Sequence, residues 1–433
     1  MKIIGNTSAE IFDRIRLLVR TGQLQQGDLL PPVRELAATL DVNRNTVAAA
    51  YKRLVAAGIA ATQGRQGTII RGDDVLGEQE GTHHDSPLVD LAGGNPNPEW
   101  LPDPAAMLAT RSRPPRLYGA PVVNPELERH ARDWFSPDCP AGFAIDLTHG
   151  AVDAVERLLS AYLAPGDQVA VEDPCFLGSI NTLRTAGFEA AGVAIDGQGM
   201  RADALEAALE RGAQAVIITP RAHNPTGCSL GATRARALRS VLSRHPHVLV
   251  IVDDHFALLA ESPYHNVIPR QTQHWALVRS LSKALGPDLR LALVAADAQT
   301  SNRLRLRLAG GTSWVSHVLQ DIAEAYLLDP RRNRLADARA DYARRRELLA
   351  DALHAEGVDV ADGADGLNLW LPLATDSQAV AGELARLGWL VRAGDAFGIT
   401  DAARGLRITI STLLPDQASR LATDLRATLE RRR

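Results

Sequence analysis

The chain has 433 residues, of which 45% are hydrophobic and 23% are charged, a composition typical of a globular protein with about two or three domains. No apolar run reaches the ~18–20 residues that a membrane-spanning helix requires, and the charged, amphipathic residues 1–20 do not resemble a signal peptide. Three scattered cysteines without a Cys-x-x-Cys pair exclude a disulfide framework, so a cytoplasmic protein is predicted. His83-His84 and His245-x-His247 lack further ligands at metal spacing, and no metal site is predicted.

The net charge of −4 conceals an uneven distribution along the chain. Residues 1–71 carry ten Lys or Arg and five acids, whereas residues 72–88 carry five acids and neither Lys nor Arg. Glycines and a proline are frequent in the acidic stretch, which is typical of a flexible tether. The pattern predicts a polyanion-binding domain over 1–71, a flexible acidic linker over 72–88 and a separate body over 89–433.

Three helical patterns occupy most of residues 1–71. Apolar residues recur at helical spacing over 9–20, a short helix is predicted over 33–40, and Asn43 is suited to cap a third helix that ends at Gly58. Two short helices joined by a tight turn are typical of a helix-turn-helix, whose second helix enters the major groove of DNA. The polar turn Asn43-Arg44-Asn45-Thr46 would then face base edges and phosphates.

The segment 59–71 alternates around Gly64 and Gly67, which predicts a two-stranded wing with Arg65 at its tip. Together with the motifs over 27–37 and 42–47, it resembles the GntR-type winged helix. The resemblance implies that Arg34, Arg44, Thr46 and Arg65 contact DNA. Pro32 stands where that family usually has a helix-capping serine, so one phosphate contact is expected to be lost. The candidate DNA-binding residues are Arg34, Asn43, Arg44, Asn45, Thr46, Arg53 and Arg65.

From Val89 onwards, short apolar runs alternate with amphipathic stretches. Residues 169–171, 215–218 and 248–252 have the continuous apolar character of buried parallel strands, and helical patterns lie between them. Helices dominate beyond about Ser313, and a smaller unit follows from Leu367. The predicted fold class is therefore α/β, with a winged helix-turn-helix ahead of a large and a small α/β domain.

Lys283 is the only lysine after Lys52 in a chain whose other cations are almost all arginines. An arginine has too high a pKa to act as an amine nucleophile, whereas a lysine can form a Schiff base with an aldehyde. A solvated surface lysine is the alternative. Ser280 and Lys283 also fit the Ser-x-x-Lys pattern of serine acyl-enzymes, but no Lys-Thr-Gly partner exists.

Several motifs at predicted strand ends are chemically matched to Lys283. Asp253 follows an apolar strand, and Asn224 lies in a Pro- and Gly-rich loop after another strand. Gly150-Ala151-Val152 precedes a helix whose N-terminus can hold a phosphate, and Arg290 follows the lysine by seven residues. An amine, an acid for a pyridine nitrogen, a hydrogen-bond donor and a phosphate cradle together describe a pocket for pyridoxal phosphate.

The body resembles the fold-type I aminotransferases from about Val89 to the C-terminus. The motifs that carry the resemblance are Asn224-Pro225-Thr226-Gly227, Asp253, Ser280-Leu281-Ser282-Lys283, Arg290 and Leu406-Arg407-Ile408. The resemblance implies that Lys283 holds pyridoxal 5'-phosphate as an aldimine, that Asp253 pairs with the pyridinium nitrogen, and that Asn224 donates to the phenolic oxygen.

The same resemblance assigns the other sides of the pocket. Phe176 would stack on the ring, and Arg407 would bind a substrate α-carboxylate. The residues implied for the phosphate end are Gly150, Ala151, Val152, Ser280, Ser282 and Arg290, with Tyr118 from a neighbouring subunit. The family usually supplies a tyrosine just after the aspartate, but His255 and Phe256 stand there, and His255 is the candidate replacement donor.

A GntR-type head on an aminotransferase-like body resembles the MocR subfamily of bacterial regulators. Residues 43–54 and 253–256 are most similar to members linked to pyridoxal kinase and vitamin B6 salvage. This predicts a homodimeric transcription factor that binds paired half-sites on double-stranded DNA, with pyridoxal 5'-phosphate as its effector. Two alternatives stay open. One is a working aminotransferase with an accessory DNA-binding head, and the other is a degenerate body kept for dimerisation.

Overall fold

The structure, a computed structural model, describes residues 3–25, 27–56, 59–62, 67–70, 79–82, 86–109, 114–329, 333–361 and 365–432. Gly64, Arg65, His83, His84 and most of the predicted linker lie outside these ranges. The chain divides into two compact units, one of Met1–Gln79 with the short segments Ala164–Asp167 and Leu183–Glu189, and one of the remaining residues from Glu80. Within the described ranges, no helix combines the length and the apolar character that crossing a membrane requires.

The N-terminal residues form three helices and a small antiparallel sheet. These elements are α1 (Ser8–Arg20), α2 (Val33–Leu40), α3 (Arg44–Ala56), β1 (Ala60–Thr62) and β2 (Thr68–Ile70). The side chain of Thr7 caps α1 by accepting from Glu10 N, and Leu29 adds a bridge to Ile69 beside the β1–β2 pair. Pro32 caps α2 without a side-chain hydrogen bond, as its lack of a hydroxyl requires. The predicted winged helix-turn-helix is confirmed.

The body opens with a large α/β domain. Its strands are β3 (Val89–Asp90), β4 (Ala144–Thr148), β5 (Gln168–Asp173), β6 (Glu189–Asp196), β7 (Gly199–Met200), β8 (Ala215–Ile218), β9 (Leu249–Asp253), β10 (Trp275–Ser280) and β11 (Ala292–Ala296). Its helices are α4 (Pro104–Ala109), α5 (Pro125–Phe135), α6 (Ala151–Tyr162), α7 (Leu177–Ala186), α8 (Ala202–Glu210), α9 (Ala232–Ser243), α10 (Ser282–Leu285) and α11 (Ala298–Ala309). The alternation predicts a sheet covered by helices, and this is what forms.

Eight of these strands form one mixed sheet in the order β4-β11-β10-β9-β8-β5-β6-β7 among the described residues. The central neighbours β10, β9, β8 and β5 run parallel, whereas β11 is antiparallel to both of its neighbours. The predicted apolar runs 169–171, 215–218 and 248–252 are buried throughout, as expected for parallel strands inside a covered sheet. The parallel register brings the carboxyl ends of β8, β9 and β10 to one edge, where ligand sites form in open α/β sheets.

Two long helices and a small α/β lobe complete the chain. The elements are α12 (His317–Leu327), α13 (Asn333–Ala355), β12 (Asn368–Pro372), α14 (Ser377–Arg386), β13 (Trp389–Leu390), β14 (Arg392–Ala393), β15 (Gly405–Thr409) and α15 (Pro415–Glu430). Strand β15 lies between β12 and β14, and its central residue Arg407 pairs with Trp370 on one side and Arg392 on the other. Strand β3 pairs in parallel with β13, so the start of the body is joined to the small lobe.

Leu54 on α3 is fully buried in the N-terminal core with Ile11 and Ile15, so Leu54→Ala should leave a cavity there. We expect a loss of about 2–5 kcal/mol in the free energy of unfolding of this unit, because the surrounding helices relax only partly. Hydrogen exchange of peptides from residues 44–56, read by mass spectrometry, measures the loss. Leu17→Ala, at a position that is 47% exposed on α1, is the matched control. Equal exchange rates in both variants would contradict the assignment of this core.

Candidate functional site

A cavity of about 240 Å³ opens where the central strands end. Thr219 follows β8, Asp253 ends β9 and Ser280 ends β10, and Lys283 stands in the short helix α10 directly beyond. Ten of the twelve predicted cofactor residues line this cavity: Ala151, Val152, Phe176, Asn224, Asp253, His255, Ser280, Ser282, Lys283 and Arg290. The fold therefore brings together residues that are up to 139 positions apart in the chain, counting from Ala151 to Arg290.

The Lys283 amine is the nucleophile that this cavity offers. Its Nζ donates to the carbonyl oxygen of Gly94 at 2.7 Å. Burial lowers the pKa of this amine, Glu80 opposes the shift and Arg407 adds to it, so the net direction is downward. A lower pKa increases the fraction of neutral amine near pH 7, and the neutral amine is the form that attacks an aldehyde.

Asp253 carries an unsatisfied acceptor in the same cavity. The carboxylate is 7% exposed, and its Oδ1 atom has no hydrogen-bond partner in the described structure. Burial, followed by the neighbouring charge of Asp254, raises the pKa of Asp253 to about 7. A buried oxygen of this kind fits a ligand that brings its own cationic N–H, and the pyridinium nitrogen of pyridoxal phosphate is such a donor.

The opposite end of the cavity has the geometry of an anion site. Gly150 caps the N-terminus of α6 with φ +96°, and a Cβ there would lie 3.0 Å from Arg290 Nη2. The free N–H groups of the first helical turn, at Ala151 and Val152, thus lie near a guanidinium and the hydroxyls of Ser280 and Ser282. Helix N–H groups with an arginine are a general phosphate-binding arrangement.

Three further side chains complete the walls of the cavity. Phe176 contributes an aromatic face, and His255 lines the cavity whereas its neighbour Phe256 is buried in the core. Burial, followed by the charge of Lys283, lowers the pKa of His255 to about 4, so the ring is neutral near pH 7 and can donate one hydrogen bond. The amide of Asn224 donates from Nδ2 to Glu80 at 2.8 Å and accepts at Oδ1 from Arg407 at 3.0 Å.

Arg407 is fully buried on β15 and holds a carboxylate from within the chain. Its Nη1 and Nη2 atoms donate to the two oxygens of Glu80 at 2.6 Å and 2.7 Å. Burial by itself would raise the pKa of Glu80, but Arg407, Lys283 and the hydrogen bond from Asn224 outweigh it and lower that pKa. Glu80 is therefore a carboxylate at pH 7, and the pair is a bidentate ion pair.

The loop after β9 is fixed by a second cluster of charges. Asp254 is fully buried and accepts from Arg221 at 3.0 Å and 2.7 Å and from Arg279 at 3.1 Å. Arg279 also forms an ion pair with Asp138. Both carboxylate oxygens of Asp254 accept hydrogen bonds, so this residue and its backbone are held in place. The adjacent carboxylate of Asp253 is thereby kept facing the cavity.

Four cavity residues have no counterpart among the sequence predictions: Glu80, Asn95, Thr219 and Pro287. Thr219 directly follows β8, so the strand-end signal that identified Asp253 could have found it. Glu80 gave no such signal, since it lies in the acidic stretch predicted to be a linker. Tyr118 is not a lining residue of this cavity, and it is 91% exposed and packs edge-on against Trp314.

The predicted DNA-binding residues lie mainly at the N-terminus of α3. Asn43, Arg44 and Asn45 are exposed there, and Asn43 Oδ1 accepts from Asn45 N at 2.8 Å. Thr46 is half-buried beside them, and Arg34 is exposed on α2. Arg53, in the last turn of α3, lies with its guanidinium 4.7 Å from the centre of the Phe12 ring. Arg65 lies outside the described residues.

Comparisons with known proteins cover both parts of the chain. Residues 7–70 match the model for bacterial regulatory proteins of the gntR family, and residues 87–425 match the model for aminotransferase class I and II. An archaeal alanine:glyoxylate aminotransferase structure superposes with a TM-score of 0.71 at 21% identity, covering 80% of this chain and 91% of that one. The chain therefore belongs to the regulators in which a gntR-family head precedes an aminotransferase class I and II domain, the MocR architecture.

Two transcriptional regulators are similar to this chain over most of its length. The vitamin B6 salvage pathway transcriptional repressor PtsJ of Salmonella typhimurium is 56% identical over 430 residues, which cover 99% of this chain and 100% of that protein. The HTH-type pyridoxine biosynthesis transcriptional regulator PdxR of Corynebacterium glutamicum is 27% identical over 368 residues, covering 79% of this chain and 78% of that one. The predicted resemblance to vitamin B6 regulators is confirmed. Class I and II aminotransferase domains generally depend on pyridoxal phosphate.

Asp253→Asn should make the stability of the ligand-free protein less sensitive to pH. Because the pKa of Asp253 is raised to about 7, its contribution to stability is present below about pH 4 and is lost as the pH rises through 7. The variant has no carboxylate to ionise at this position, so its free energy of unfolding does not fall in this way. Above pH 7 it should exceed that of the wild type by about 2–4 kcal/mol. Urea unfolding at a series of pH values measures it.

Asp288→Asn, at an exposed position, is the control for this series, and its curve should run parallel to that of the wild type. An Asp253→Asn curve that also runs parallel to the wild type would show that the carboxylate is not strained by burial.

Proposed function

We propose that this protein is a transcriptional regulator that binds pyridoxal 5'-phosphate through Lys283 and controls genes of vitamin B6 metabolism, a pyridoxal kinase gene among them. The observation that carries the proposal is the meeting of the Lys283 amine, the unpartnered Asp253 carboxylate oxygen and an anion-binding helix N-terminus in one cavity. The names of the two relatives, a vitamin B6 salvage repressor and a pyridoxine biosynthesis regulator, support this choice of pathway.

In this proposal each side of the cavity has one task. When bound, pyridoxal phosphate supplies an electrophilic aldehyde. Lys283 engages that aldehyde, Asp253 accepts from the ring nitrogen, and Phe176 packs against the ring face. Asn224 and His255 donate to the ring oxygen. The phosphate is held by residues that offer N–H groups, hydroxyls and a guanidinium, namely Gly150, Ala151, Val152, Ser280, Ser282 and Arg290.

In this proposal the head, residues 1–71, binds the operator. The linker, residues 72–88, joins it to the body, residues 89–433, which binds the effector and forms a homodimer. Exposed apolar side chains that lie close together in the sequence, Leu117, Tyr118 and Val122, support a dimer, because exposed apolar patches mark protein–protein interfaces. Tyr118 would then reach the phosphate end of the neighbouring subunit's cavity. A dimer presents two copies of α3 to paired half-sites, and such a regulator acts on DNA in the cytoplasm.

A working aminotransferase with an accessory DNA-binding head is the second candidate. Lys283, Asp253 and Arg407 are the residues that such an enzyme requires, and all three are present. Sustained turnover of an amino acid and a keto acid would favour the enzyme. The bidentate pair between Glu80 and Arg407 argues for the regulator, because a substrate carboxylate needs the same guanidinium.

Lys283→Ala should abolish the covalent adduct with pyridoxal phosphate. After borohydride reduction, intact-mass measurement should show one adduct per wild-type chain and none in the variant. Lys52→Arg should keep the adduct, which separates the cavity lysine from an exposed lysine of the head. On a DNA fragment that the wild type selects from its genome, pyridoxal phosphate should change the gel-shift affinity of the wild type and leave that of Lys283→Ala unchanged.

An adduct that persists in Lys283→Ala would refute the assignment of the lysine. A gel shift that is insensitive to pyridoxal phosphate in both proteins would refute effector control while leaving the adduct intact.

Arg44→Ala should weaken operator binding about tenfold or more and make it less dependent on salt, because a phosphate or base contact of the α3 N-terminus is lost. Arg16→Ala, which removes an exposed arginine from α1, is the matched control and should change affinity little. Fluorescence anisotropy with the selected fragment across a salt series measures both. Equal losses for the two variants would count against α3 as the recognition helix.

A further inference from the structure

The carboxylate of Glu80 is bound to Arg407 in the way that an arginine binds a free carboxylate ligand. Two parallel N–H···O bonds of 2.6 Å and 2.7 Å join the two groups. Glu80 lines the same cavity as Lys283, and Asn224 donates a third hydrogen bond to Glu80 at 2.8 Å. The resemblance to aminotransferases assigns the carboxylate of an amino acid ligand to the same guanidinium.

Arg407 has no free terminal nitrogen for a second carboxylate. Besides Glu80, Nη1 donates to Asn224 Oδ1 at 3.0 Å and Nη2 donates to the carbonyl oxygen of Ala92 at 2.6 Å. The side chain is fully buried, so water does not compete for these positions. A free carboxylate can therefore bind the two terminal nitrogens only if it displaces Glu80.

The backbone around Glu80 holds the carboxylate in place. Gly81 N donates to Gly93 O at 2.9 Å, and Arg392 Nη2 donates to Gly81 O at 3.0 Å. The approach also depends on Gly94, which has φ +66°, because a Cβ there would collide with Glu80 Oε2 and lie 3.1 Å from Arg407 Nη2. Glu80 is thus positioned by its own side-chain partners and by the contacts of Gly81, and is not a mobile surface acid.

We propose that Glu80 is a specificity-determining residue that fills the carboxylate subsite on Arg407 and so excludes amino acids from the cavity. This proposal rests on the proposed function in one respect, the identity of the ligand that still binds when amino acids are excluded. That ligand is pyridoxal phosphate, which carries no carboxylate. A carboxylate tethered to the chain acts at an effective concentration in the roughly millimolar range or above, so a free amino acid of ordinary affinity does not displace it. The cavity then responds to the cofactor alone.

The first experiment needs no cofactor. Calorimetric titration of the ligand-free protein with L-alanine should detect no binding to the wild type. Glu80→Ala should bind at least about tenfold more tightly than the wild type, because the guanidinium is then open to the ligand carboxylate. The double variant Glu80→Ala, Arg407→Gln should lose this binding. Glu99→Gln, which removes an exposed acid from the same unit, should behave as the wild type.

Glu80→Gln protects the test against a folding failure. Removing the whole side chain leaves a buried guanidinium without its carboxylate, which is destabilising, whereas glutamine keeps an oxygen for Arg407 and loses only the charge. Circular dichroism confirms that each variant is folded. Equal affinities for L-alanine in the wild type and both folded Glu80 variants would overturn the proposal, and so would binding to the double variant.

The second experiment uses protein loaded with pyridoxal phosphate. L-alanine should shift the cofactor absorbance in both Glu80 variants and leave that of the wild type unchanged. A shift of equal size at equal L-alanine concentration in the wild type would overturn the role of Glu80. If neither the wild type nor any variant takes up pyridoxal phosphate, the proposed function fails. The cofactor-free titration then decides the role of Glu80 by itself.

Discussion

The buried guanidinium of Arg407 is the charge that positions Glu80 and Asn224, two of the residues that line the cavity. A lone cation in the interior costs several kcal/mol, so its surroundings must supply acceptors. Glu80, Asn224 and the carbonyl of Ala92 do so from three separate parts of the chain. The same contacts fix the Asn224 loop and Glu80 relative to β15, so satisfying one charge also positions two residues of the cavity wall.

Two adjacent aspartates at the end of β9 differ in whether their buried carboxylates have hydrogen-bond partners. Asp254 accepts from two arginines and is fully satisfied, whereas Asp253 has an oxygen without a partner although it is almost as buried. A fold that had only to be stable would pair both. Leaving Asp253 unsatisfied is costly in the ligand-free protein and becomes favourable when a cationic ring nitrogen binds, which is the usual reason for such strain at a functional site.

The head and the body meet different demands with similar local chemistry. In the head, α3 buries Val47 and Leu54 and leaves Asn43, Arg44 and Asn45 exposed at its N-terminus, where they can reach DNA. In the body, the N-terminus of α6 is turned towards the cavity and is suited to a phosphate. At both helix N-termini an arginine lies beside the positive end of the helix dipole, Arg44 at α3 and Arg290 at α6, and this combination attracts phosphate oxygens.

The sequence by itself determined most of the elements and most of the cavity. The helix over 33–40, the strands over 215–218 and 248–252, and the strand-end residue Asp253 follow from local periodicity and from the residues that come next in the chain, and the second strand begins one residue later, at Leu249. The lysine was found by its isolation among arginines. The roles given to the twelve predicted cofactor residues stay predictions. The fold adds that ten of these residues line one cavity.

Only the tertiary structure decided where Glu80 lies. Its partner Arg407 is 327 residues away, and an acid in an acidic stretch has no periodic or strand-end signal. The structure likewise placed His255 in the cavity and Phe256 in the core, which the adjacent positions left open. Local patterns record which face of an element is buried, whereas an ion pair between distant segments depends on how the whole chain packs.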